Sequence, residues 1–254
     1  MKKTIFILAA AAMSLAACNK AVLNAPVEYG FIDFNVSSDD IVVETKAVSV
    51  EALNAYSIYC NNSLLGTYGS IKDQVFTKSV GTYSVYAENM TATDAETGFG
   101  DLRVASPISS ITVEANKTAT ATLACVAQSS KLTVTFDKSF TDVFTDYSFE
   151  VRKTDNTARA DNNLYLTITE TSAKSIFYNG DVALTYTIKG THPAQGECTF
   201  GGTVTIAKGH SLAVTVKQST ESGGLKIEVS ANDSLINDAD KNVTVDPYNP
   251  SDNL

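Results

Sequence analysis

Nucleophilic or metal chemistry in this chain would have to come from few residues. Its 254 residues include two histidines, His192 and His210, four cysteines and no tryptophan. A serine or cysteine nucleophile needs a histidine to take its proton and a carboxylate to orient that histidine. His192 precedes Pro193 and His210 follows Lys208-Gly209, so both read as turn residues between strands. Two histidines also exclude a multi-histidine metal centre. The strongest run of oxygen ligands is Asp238-Ala-Asp240-Lys-Asn242, spaced as in a calcium loop. Val243 stands where that loop needs Gly and Asn249 where it needs a bidentate Glu, so the run reads as a polar turn. Gly98-Phe-Gly100 lacks the third Gly and the following helix of a dinucleotide loop. The expectation is no catalytic residue, no metal and no cofactor.

One cysteine stands apart. Lys2 and Lys3 precede an apolar stretch from Thr4 to Ala12, and the segment closes on Leu15-Ala16-Ala17-Cys18. So short a stretch cannot cross roughly 30 Å of hydrocarbon and reads as a cleavable signal. The small residues at 16 and 17 leave room for a peptidase, and the Cys18 thiol can take a lipid chain. These four residues resemble a bacterial lipobox. That resemblance implies cleavage between Ala17 and Cys18 and acylation of Cys18, with diacylglyceryl and palmitate chains holding the protein to the outer membrane. Two acyl signals anchor stably without a protein span. No later stretch approaches eighteen apolar residues. The formal charge of −9 argues against nucleic acid as a partner.

Cys60, Cys125 and Cys198 remain, an odd number in an oxidising compartment. Each lies in an apolar or Thr-rich alternating run, which suits either buried free thiols or one disulfide with a thiol left over.

Beyond residue 25 the chain alternates with period two, as in Phe31-Ile-Asp-Phe-Asn-Val36 and Lys131-Leu-Thr-Val-Thr-Phe136. β-branched and aromatic runs split by Asn, Asp and Gly are strand signals. Val48 to Ala55 and Thr141 to Tyr147 each have room for one helical turn. The expected class is all-β. Four segments recur in order about one hundred residues apart: Gly30–Ser37 with Lys131–Lys138, Ala55–Tyr59 with Asp146–Val151, Gly81–Ala87 with Asp181–Ile188, and the hairpin Ser110–Leu123 with Gly202–Val216. The expected organisation is a signal peptide (1–17), a lipidated tether (18–28), two tandem antiparallel sandwiches (29–128 and 129–246) and an extended tail (247–254). After the strand Leu225–Ser230, residues Asn232 to Asn242 read as a polar loop, with Val243 and Val245 in a last short strand.

The lipobox, the strand Gly30–Val36, the tripeptide Thr45-Lys46-Ala47 and the segment Val80-Gly-Thr-Tyr-Ser-Val-Tyr-Ala87 together resemble Bacteroidetes cell-adhesion lipoproteins related to the fimbrillin superfamily. The last segment resembles the Gly-Thr-Tyr strand of transthyretin-like sandwiches. The resemblance implies a non-enzymatic outer-membrane lipoprotein at the cell surface, acting in adhesion or as a fimbrial (pilus) subunit. Its partners would be other subunits or host and glycan ligands. In fimbrillins a protease removes the N-terminal strand and a neighbour's strand fills the groove. Relatives are cut after Arg; here the matching residue is Lys46. Export in this phylum favours acidic residues after the lipid cysteine, whereas here Asn19-Lys-Ala21 follows it and Glu28 is the first carboxylate. Strand donation would fall to Val243 and Val245. The alternative function is a glycan-binding surface lipoprotein of a nutrient-uptake system, with Tyr56, Tyr68, Tyr178 and Tyr248 read as exposed candidates for sugar contact.

Overall fold

The computed structural model describes residues 26–38, 42–43, 46–47, 50–219, 226–235 and 242–245. Cys18, Tyr248 and the Asp238 to Asp240 carboxylates lie outside these residues. The fold is all-β. In the N-terminal half the strands are β1 (Tyr29–Ser38), β2 (Val42–Val43), β3 (Lys46–Ala47), β4 (Ser57–Cys60), β5 (Ser63–Thr67), β6 (Phe76–Ser79), β7 (Gly81–Glu88), β8 (Val104–Ala105), β9 (Ser109–Val113) and β10 (Thr118–Ala127). The C-terminal half holds β11 (Ser129–Phe136), β12 (Thr145–Lys153), β13 (Tyr165–Ile168), β14 (Lys174–Asn179), β15 (Val182–His192), β16 (Gly196–Ile206), β17 (His210–Ser219), β18 (Lys226–Leu235) and β19 (Asn242–Val245).

Local sequence explains most of these elements. In β1 the alternation buries Ile32, Phe34 and Val36 and turns Phe31, Asp33 and Asn35 outward. Asn61 and Asn62 join β4 to β5, both at positive φ, as a type I′ hairpin turn requires. The helical elements described are single turns: α1 (Val50–Leu53), α2 (Tyr68–Ile71) and α3 (Lys138–Thr141), with a 3-10 turn at Asp94–Glu96. The second expected turn is displaced. Asp137 caps Ser139 N and starts α3 early, and Thr145 onward is already β12. The expected polar loop from Asn232 is corrected too, because β18 runs on to Leu235 against β17. Cross-strand pairing outweighs the polar composition there.

The same pairing pattern occurs in both halves. β1 pairs antiparallel with β6 and parallel with β10, from Phe31 opposite Thr118 to Ser38 opposite Cys125. β11 pairs antiparallel with β14 and parallel with β17. Next to these, β4 lies between β5 and β7 while β9 borders β7, and β8 joins this set to β10 in one 8-stranded sheet; likewise β12 lies between β13 and β15 while β16 borders β15, here in a separate 4-stranded sheet. The four segment pairs that recur in the sequence fall on equivalent strands. Because β1 and β10 are parallel, the chain comes in at one end of the N-terminal half and leaves it at the other. Ten residues of strand place those ends about 30 Å apart.

Each half closes on its own core. One gathers Ile32, Phe34, Ile58, Val85 and Leu123, and the other Leu132, Phe149, Ile176, Ile188 and Val214. In the second, Phe140 stacks on Phe144 at 4.4 Å between centroids. Each such buried side chain contributes about 1.5–3 kcal/mol by leaving water.

Candidate functional site

The densest polar constellation lies where the halves meet. The 3-10 turn Asp94–Glu96 packs on β14, and the loop after β12 carries Arg159 into the joint. Arg159 is buried: its Nη2 donates to the carbonyls of Glu96 and Gly98 at 2.8 Å each, and its Nη1 to that of Phe177 at 3.2 Å. The guanidinium lies 4.7 Å from the centre of the Tyr178 ring. The Glu96 carboxylate accepts from Lys153 Nζ at 2.9 Å and from the backbone N–H of Asn179 at 3.0 Å. Arg103 links Glu88, at 2.7 Å, to the Asn179 side chain, at 3.1 Å. A buried charge is tolerable only when paired and hydrogen-bonded in this way. Gly100 lets the chain fold closely over the 3-10 turn and β14: its φ is +76°, and a Cβ there would meet the Ala95 carbonyl at 2.3 Å and the Phe177 carbonyl at 3.0 Å.

A polar recess of about 390 Å³ opens beside this cluster, lined by Glu96, Lys153, Asp155, Asn179 and Asp181 among others. Its carboxylates are engaged, Asp155 capping Thr157 N and Asp181 capping Lys208 N. The lining holds no histidine and no cysteine, so it offers no nucleophile with its base.

Ala17 and Cys18 lie outside the described residues. Lys46 sits in β3 opposite Val43, in a two-stranded ribbon that follows β1. Val243 and Val245 pair with Ala231 and Val229, and β19 is the outermost strand of its sheet. Cys60, Cys125 and Cys198 are free thiols, the first two buried. Burial raises the Cys60 thiol and pushes that of Cys125 up to about 12. His192 ends β15, packs edge-on to Phe144 at 5.4 Å and accepts from Ala194 N at 3.2 Å, while His210 opens β17. Among the described residues no group of three His, Cys, Asp or Glu could hold a metal, and no helix is long and apolar enough to cross a membrane.

The expected sugar-contact tyrosines are corrected. Tyr56 and Tyr178 are buried core residues, because each falls in the inward phase or rim of its core. Tyr68 is half-buried. Tyr59 and Tyr86, also half-buried, are outward-facing cross-strand partners whose rings stack at 4.6 Å and 9°. Leu64, opposite Tyr59 and 59% exposed, extends the row. Alternation with the inward Ile58, Cys60, Val85 and Ala87 is the signal that marks this pair in the sequence.

Residues 28–247 match a family described as a domain of unknown function (DUF4493). No curated protein matches the chain. Among solved structures, the chain is similar to a candidate adhesin from Bacteroides ovatus, at 9% identity and TM-score 0.43, over 84% of this chain and 96% of that one. It is similar to a candidate cell adhesion protein from Bacteroides uniformis, at 14% identity and TM-score 0.42, over 82% and 99%. It is also similar to the fimbrial anchor protein Mfa2 from Porphyromonas gingivalis, at 11% identity and TM-score 0.36, over 82% and 98%.

Proposed function

The chain belongs to the DUF4493 family, and from that premise we propose that it is a lipid-anchored, non-enzymatic protein of the outer cell surface, acting in adhesion as a fimbrial subunit. It is built of two tandem transthyretin-like sandwiches, 29–128 and 129–246. Cys18 carries the lipid, and subunits join by strand addition.

The observation that carries this reading is the position of β1. It lies between β6 and β10, hydrogen-bonded on both sides, and it precedes Lys46 in the chain. A cut after Lys46 would leave β1 and the lipidated Cys18 held to the rest only by strand pairing and by the packing of Ile32, Phe34 and Val36. Withdrawal of β1 would open a slot along β10 from Thr118 to Cys125, where an extended strand recovers the lost backbone bonds. Among the described strands the donor is β19, with Val243 and Val245, because it is the last in the chain and closes an edge of its sheet.

The test is treatment of residues 19–254 with a Lys-specific protease, followed by mass and oligomeric state. Cleavage after Lys46 with SDS-resistant ladders is expected, and a Lys46→Ala variant should give none. A cleaved chain that stays monomeric overturns strand addition.

Glycan binding is the second reading, favoured by the outward row Leu64–Tyr59–Tyr86. Flat aromatic surface beside hydroxyls suits a sugar ring. Stabilisation of the wild-type chain by an oligosaccharide, lost in Tyr59→Ala, supports it by linkage.

A further inference from the structure

The pole at the N-terminal end of β1 carries three exposed apolar side chains, beside the exposed Glu28 and the Glu114–Lys117 ion pair. Val27 is 60%, Tyr29 54% and Val80 45% exposed. Three segments build it: residues 26–29, the 79–81 turn and the 114–117 turn. Val80 N donates to the Glu28 carbonyl at 2.8 Å, and Asn116 N donates to that of Tyr29 at 2.9 Å. Gly30 has no Cβ to strike the Glu114 carbonyl, which a Cβ would approach to 2.1 Å, so the 114–117 turn lies tightly on the strand. Tyr29 is thus fixed to the sheet, opposite Ser79, rather than carried on the tether.

We infer that in the uncut chain this pole lies on the lipid surface that holds the acylated N-terminus, with Val27, Tyr29 and Val80 seated at the headgroup level. The inference rests on the acylation of Cys18 proposed above. The occupant follows from the chain: fully extended, the residues from Cys18 to Val27 reach at most about 30 Å, so the pole cannot leave the neighbourhood of the bilayer. At the effective concentration set by so short a tether, weak contacts are populated. Tyrosine is a residue that settles at the headgroup level of a membrane interface. The strand directions agree. β1 and β10 both run away from this pole, so the joint at Ser129 lies at the far end of the N-terminal half. The C-terminal half then projects outward, clear of the lipid.

The protein has no tryptophan, so a single one reports its own surroundings. The acylated full chain carrying Tyr29→Trp, Val27→Trp or, as a distant reference, Tyr165→Trp is reconstituted into phosphatidylethanolamine–phosphatidylglycerol vesicles containing brominated lipid. Emission at positions 29 and 27 should fall about twofold, with the reference unchanged, as expected of an interfacial aromatic side chain. No quenching at either position in protein that sediments with the vesicles overturns the membrane contact and leaves the lipoprotein reading intact. A mass without acyl chains, with the protein in the supernatant, overturns the lipoprotein reading and this inference with it.

Discussion

Arg159 and Glu96, sixty-three residues apart, meet through a 2.8 Å hydrogen bond from the guanidinium to the backbone carbonyl, not through the carboxylate. The carboxylate is already committed to Lys153 and Asn179. Arg159 therefore acts as a donor to three carbonyls of two chain segments. Arg159→Met should leave those carbonyls buried without a donor and cost about 3 kcal/mol. Calorimetry should show the loss, and the segment 94–103 should become the first site cut in limited proteolysis.

Gly100 offers a second test of the same joint. Gly100→Ala places a Cβ at 2.3 Å from the Ala95 carbonyl with φ at +76°. The expected cost is more than about 1 kcal/mol, since both the conformation and the contact are adverse. Unchanged urea unfolding would show that the 94–103 loop can move away freely.

The cysteines differ in reactivity. Burial holds Cys125 and Cys60 as neutral thiols, and the thiolate is the reacting form. In the chain beginning at Asn19, folded protein at neutral pH should be alkylated once, at the half-buried Cys198. In urea all three should react, which mass spectrometry counts.

Alkaline pH should unfold the protein through its buried tyrosines. Burial raises Tyr56, Tyr186 and Tyr178, the last to about 12 despite the opposing pull of Arg159. A raised folded value means stability present below the unfolded value of about 10 and lost as pH rises towards 12. The part of the tyrosinate absorbance that a Tyr178→Phe variant lacks should therefore appear together with loss of β-sheet circular dichroism. Ionisation well before unfolding would contradict it.

The stacked pair Tyr59 and Tyr86 should couple. A double-mutant cycle to alanine should give about 0.5–1.5 kcal/mol. No coupling would mean that the two rings act only through the area each covers.

Period-two alternation alone determined that this chain is all-β, and it set which residues of β1, β10 and β11 face inward. Composition determined that two histidines and three remaining cysteines supply little for catalysis. These features are legible because the faces of a strand follow from its own residues. Tertiary structure decided the rest. Alternation does not say which strand lies beside which, so the parallel pairing of β1 with β10, which sends the two ends of the N-terminal half in opposite directions, appears only in the fold. Nor could it bring Arg159 to Glu96. Those outcomes depend on loop paths and on contacts between residues far apart in the chain, where no local period reaches.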